Sequence, residues 1–200
     1  MIKMRKHGRL KIILSYIRAS ILVLVFSVII EIIAGSILGE IFTTIYIPGV
    51  LILIPPMMEL RGNISSIFAA KLCTALHLGT IKASIRNNTK KFKEDFYSSI
   101  IILLIMPFIL GLIVWIFCLI FNISNIGLLF LILIALLTGL ISGLIMTFIS
   151  IIISIFTFKY GLNPDSFVVP ILGFVGDILT IITLFLVIAF LEFIGLGLII

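Results

Sequence analysis

The residues best suited to chemistry are acids set inside apolar runs. Of eight Asp and Glu, four fall there: Glu31, Glu40, Glu59 and Asp177. A charge at the centre of a spanning helix costs about 2.5–3.5 kcal/mol on the insertion scale. Roughly twenty apolar neighbours at about −0.3 to −0.6 kcal/mol each offset one such group, so the segment still inserts. An acid at that depth faces a polar cavity, an ion path or a partner. Asp177 closes the run Pro170-Ile171-Leu172-Gly173-Phe174-Val175-Gly176-Asp177. Pro170 frees a carbonyl, and Gly173 and Gly176 thin the helix so that a backbone or a hydrated ion comes close. Its own span holds no basic residue. So read, Asp177 is an unneutralised carboxylate among small residues, which points to a cation site. The alternative is a protonated Asp bonded to a neighbouring helix.

A second polar segment lies near residue 60. Pro55-Pro56 interrupts an apolar run, and Arg61-Gly62-Asn63 follows. This pattern predicts a broken second span made of two half-elements, which is tolerated at membrane depth where it lines a cavity. The alternative is one kinked helix. Asn63 offers a neutral carbonyl oxygen, and Ser65 and Ser66 offer hydroxyls. Oxygen-only donors suit a hard cation, and magnesium is held by one or two carboxylates with most of its water kept. One Asp and one Asn per chain, doubled by symmetry, fit that description. Cys73 and His77 are spaced i, i+4; helix packing is the favoured reading over a zinc or copper site.

These residues need apolar elements to hold them, and the composition supplies little else. Hydrophobic residues are 62% of the 200, charged residues 11%, and mean hydropathy is +1.46. A soluble domain needs about a quarter of its residues charged, so the chain is an all-α membrane protein. Five transmembrane helices are predicted, over residues 19–45, 50–79, 97–121, 126–158 and 167–191. Each reaches the roughly 20 residues needed to cross a bilayer core. No alternating strands with turn signals appear, so a β-barrel is excluded. Residues 1–18 form a basic cytoplasmic segment, and 19–200 the transmembrane domain. No cleavable signal peptide is read at the N-terminus.

Six of fourteen Lys and Arg lie between Lys3 and Arg18, and five between Lys82 and Lys93. The links near Ile47 and at 122–125 hold none. All basic segments then share the cytoplasmic side of the cell membrane, and the C-terminus lies outside. The net charge of +6 therefore reflects topology and contact with anionic lipid headgroups, not nucleic-acid binding. Cys73 and Cys118 read as reduced core residues. There is no nucleotide-binding motif and no internal repeat, so any twofold symmetry comes from two chains. Two GxxxG pairs, Gly35/Gly39 and Gly139/Gly143, read as close helix packing.

Two spaced motifs resemble the membrane domain of the MgtE-type magnesium transporters and their eukaryotic solute-carrier relatives. The first is Pro55-Pro56-Met57-Met58-Glu59-Leu60-Arg61-Gly62-Asn63 with Ala70-Lys71-Leu72-Cys73-Thr74-Ala75-Leu76-His77-Leu78-Gly79. The second is Asn163-Pro164-Asp165, Pro170, then Gly176-Asp177. The resemblance implies a homodimer of five-helix units with a cation path at the twofold axis, lined by the second and fifth helices. It implies that Asp177 meets hydrated magnesium, that Asn63 lines the same path, and that Asp165 is an acid near its cytoplasmic end. Gly62, Gly173, Gly176 and Thr180 are further candidates for lining the path. Glu59 departs from the family pattern, adding a charge to the path or pairing with Arg61. Large cytosolic gating domains are missing from this sequence.

The expected function is passive conduction of a divalent cation, magnesium first, with no enzyme activity and no resident cofactor. A transporter of another divalent metal and a non-transporting scaffold subunit are the alternatives. An intramembrane aspartyl protease is disfavoured, because no second Asp lies within a span.

Overall fold

The computed structural model describes residues 17, 21, 24–25, 27–36, 38–40, 47, 49–84, 88–161 and 164–195, with the side chains of 164–167 left out. The basic segment 1–18 thus falls outside the described residues apart from residue 17, as does Asn163. Helices dominate, because a backbone in lipid must satisfy every N–H and C=O internally. The described residues between 17 and 40 are all helical and form α1. They are followed by α2 (Val50–His77), α3 (Lys90–Ile120), α4 (Leu128–Lys159) and α5 (Pro164–Phe193). No strand occurs among the described residues. Among the described residues, three helices are long and apolar enough to cross a membrane: α3, α4 and Val168–Phe193 of α5.

One expectation fails here: the second span is not broken. Pro55 and Pro56 lie inside a continuous α2, and Gly62 and Asn63 follow within the same helix. Proline removes a donor and crowds the preceding turn. Here the bonds that Pro55 and Pro56 cannot donate would have run to the carbonyls of Leu51 and Ile52, in the first turns of the helix. The helix therefore bears the loss without ending. A second difference is at α3, which begins at Lys90 rather than near Tyr97. Its opening turns carry the Lys90–Asp95 charges, and Lys91 Nζ donates to Asp95 Oδ1 at 3.1 Å.

Among the described residues, α2 and α4 touch each other and both α3 and α5, whereas α3 and α5 do not meet; α4 forms much of the inner wall. Its inner face is a line of hydroxyls that the sequence reading missed. Thr138, Ser142, Thr147, Ser150, Ser154 and Thr157 are all buried. Ser142, Thr147 and Ser150 donate back to the carbonyl four residues earlier, at 2.7–2.8 Å. Small back-bonded residues let neighbouring helices approach closely, although the hydroxyls of Thr138 and Ser154 are buried without a partner among the described residues.

The ends of the bundle sort by charge. Gly49, at φ +84°, turns the chain into α2, and a Cβ there would lie 3.0 Å from the Cβ of Asn125. The two uncharged links therefore share one end. At the other end Leu76, Ile81 and Ile155 pack together with Phe92 and Phe158. That contact sets Lys82 and the opening turns of α3, with Lys90, Lys91 and Lys93, beside the end of α4 that carries Lys159.

Of the two GxxxG pairs, the one in α4 is used for packing. A Cβ on Gly139 would lie 2.5 Å from Pro107 Cγ, and one on Gly143 would collide with Leu103. Gly35 and Gly39 meet nothing among the described residues.

Candidate cation site

α2 and α5 run antiparallel, and their contacts fix a register. Toward one end Leu53, Ile54 and Met57 share a core with Leu184, Val187 and Ile188. Toward the other, Ala69 and Cys73 pack with Val168 and Leu172. Midway between these layers, Arg61 stands opposite Asp177. Arg61 Nη2 donates to Asp177 Oδ1 at 2.8 Å and lies 3.5 Å from the carbonyl of Gly173. Gly176 makes room for this, since a Cβ at that position would collide with the guanidinium of Arg61.

The expectation of an unneutralised carboxylate is therefore corrected: Asp177 has a cationic partner on the neighbouring helix. No basic residue in α5 was needed, because α2 supplies one. The sequence did carry a signal. Arg61 is itself a charge set in a largely apolar segment and had to pair with something. Glu59 was not available to it, because residues two apart point to different sides of an α-helix. The assumed break at Arg61-Gly62-Asn63 hid this, for only a continuous helix fixes the faces.

The pair is asymmetric. The Arg61 side chain is 2% exposed and that of Asp177 is 20% exposed. Arg61 Nε and Nη1 are buried and find no acceptor among the described residues. The contact uses one nitrogen and one oxygen, so the second oxygen of Asp177 is left out of the ion pair. Glu31 and Glu59 are near enough for their charge to act on Asp177. Glu31 accepts a hydrogen bond from Ser27 Oγ at 3.0 Å.

The other site candidates are distributed differently. Asn63 Nδ2 donates to Glu59 Oε1 at 3.0 Å, and both residues are exposed. They face a groove of about 250 Å³ between α2 and α3, with Met106, Ile109 and Ile113 on the α3 side. Within one chain, Asn63 thus opens onto the α3 side of α2 while Asp177 meets α2 through Arg61, and Glu59 pairs with Asn63 rather than Arg61. Gly62 is half-buried with open space at its Cα. Thr180 is buried and donates to the carbonyl of Gly176 at 2.8 Å. Asp165 falls in the first turn of α5, and its side chain lies outside the described set.

Among the described residues, no three His, Cys, Asp or Glu side chains group to hold a bare metal ion. His77 sets its ring edge-on to Phe158, 5.2 Å between centroids, while Cys73 is buried among Ala69, Met146 and Leu172.

An all-helical bundle of largely apolar helices, with a charge pair and further acids set among them, defines a membrane protein with several spanning helices. A family model, the MgtE divalent cation transporter, matches residues 54–187, well over half of the chain and both halves of the Arg61–Asp177 pair. The chain belongs to the MgtE family of divalent cation transporters. No curated protein and no solved structure matches it.

Proposed function

We propose that the chain crosses the membrane five times and conducts a divalent cation, magnesium first, passively along a path at a homodimer axis lined by α2 and α5. One observation carries the reading: Asp177 is the less buried member of the ion pair, 20% exposed against 2% for the Arg61 behind it. A carboxylate with one oxygen outside the ion pair suits a hydrated magnesium ion, which gives up water reluctantly and is held through few protein oxygens. Glu59 and Asn63, exposed at mid-helix of α2, support the dimer. Polar groups at that depth require a partner surface or water, and a second copy supplies both. The N-terminus is cytoplasmic and the C-terminus outside, from the basic links gathered at one end of the bundle. The membrane potential contributes about 4.6 kcal/mol per 100 mV to a divalent ion, so no ATP is needed.

Proteoliposomes holding a magnesium-sensitive dye test the function. Purified protein admits magnesium when an inside-negative potential is applied, without nucleotide. Combining Asp177→Asn with Arg61→Met, which removes both charges together, abolishes the flux. Normal flux in that double variant removes Asp177 from the path, and a preference for another divalent metal corrects the ion. The dimer has a separate test. With Cys73 and Cys118 replaced by Ala, Asn63→Cys gives a disulfide-linked dimer on mild oxidation in membranes. A protein that conducts normally yet stays monomeric under these conditions refutes the shared axis.

A further inference from the structure

We infer that Arg61 sets how tightly Asp177 holds its cation: it is a positioning residue that cancels part of the carboxylate's charge so that a divalent ion binds weakly enough to leave. The inference rests on the reading of Asp177 as the ion-facing acid.

Three observations lead to it. Burial is lopsided, at 2% exposure for Arg61 against 20% for Asp177, so the guanidinium stands behind the carboxylate and does not block it. The seat is built into the fold, because the guanidinium occupies the space where any side chain on residue 176 would begin. The contact is single, Nη2 to Oδ1 at 2.8 Å with Gly173 O at 3.5 Å. A bidentate fork, the geometry Arg commonly adopts with carboxylates, would have engaged both oxygens. Here one remains for the ion or its water.

Conduction requires a site that attracts an ion and then releases it. An isolated carboxylate away from bulk water attracts a doubly charged ion strongly, since Coulomb energies grow as the effective dielectric falls. A fixed positive charge close behind the acid opposes that attraction. Arg suits the task because it stays protonated under all ordinary conditions. Arg61 thus trades affinity for release rate while also fixing the Asp177 rotamer.

Magnesium flux into proteoliposomes, measured against external magnesium, separates this role from a structural one. Arg61→Gln keeps a donor and removes the charge. Its KM falls at least about tenfold, the equivalent of about 1.4 kcal/mol, and its maximal flux falls as well. Arg61→Lys keeps the charge, and its KM stays within about twofold. Should Arg61→Gln fail to fold, judged by the emission of Trp115, the lysine variant still decides, because a tenfold fall in its KM contradicts the inference. An active wild type with KM unchanged in Arg61→Gln overturns this inference and leaves the function standing. A wild type that carries no divalent cation overturns both.

Discussion

Asp177→Asn destabilises the bundle by about 3–5 kcal/mol, the cost of removing one partner from a buried ion pair. Arg61→Met costs less, by about 1–2 kcal/mol on the scale of an unsatisfied buried group. The difference follows from which charge is left behind. Arg61 is almost wholly enclosed and cannot shed its proton, so Asn leaves an obligatory charge among α2 and α5 side chains. Asp177 keeps an open edge and a carboxyl can accept a proton, so Met leaves a group able to become neutral. Two nitrogens of Arg61 already lack acceptors, which deepens the penalty when Asp177 is lost. Combining the two changes restores most of the stability, since replacing a buried pair by apolar or neutral groups is often neutral.

The measurement is unfolding in mild detergent, followed by the fluorescence of Trp115. That residue is the chain's one tryptophan and packs against the core shared by α2, α4 and α5. The four proteins form a double-mutant cycle, and contacting residues show couplings of about 0.5–3 kcal/mol. A coupling near zero, or an Asp177→Asn protein as stable as the wild type, means the pair does not form in the membrane. The cycle reads stability alone, so it remains informative whatever ion is carried.

Asp177 was legible in the sequence because an acid inside an apolar run stands out against its neighbours. Its partner was not, because pairing depends on the register of two antiparallel helices 116 residues apart, which composition does not encode. Pro55 and Pro56 misled for a physical reason. A proline's effect depends on where it falls in the helix, and near the first turns it removes bonds that matter least. The hydroxyl line of α4 was hidden in plain view: Ser and Thr insert into lipid at little cost, so their i, i+4 spacing does not disturb the hydropathy that revealed the helix. The α3–α4 pair, not named from the sequence, is nevertheless implied there, since the link at 122–125 is too short to join anything but antiparallel neighbours.

That α3–α4 crossing carries the second large effect. Gly111→Leu destabilises the protein by more than the roughly 1–3 kcal/mol typical of overpacking, and Gly111→Ala falls within that range. The reason is what the new atom meets. A Cβ on Gly111 would lie 2.7 Å from the Cα of Ile132 and 3.1 Å from its nitrogen and from the carbonyl oxygen of Leu131. These are backbone atoms of a helix, so no rotamer change makes room and the two helices must part. At Gly139 and Gly143 the obstacles are the side chains of Pro107 and Leu103. Leucine can move whereas backbone cannot, so Gly143→Ala costs less than Gly111→Ala. The normal gain of up to about 1 kcal/mol from Gly to Ala inside a helix offsets little of this at Gly111. At Gly35, helical and with nothing among the described residues to meet a Cβ, the change to Ala is neutral to stabilising, by up to about 1 kcal/mol. Thermal unfolding in detergent orders the four variants. If Gly111→Ala proves as stable as Gly35→Ala, helices α3 and α4 do not cross through this glycine.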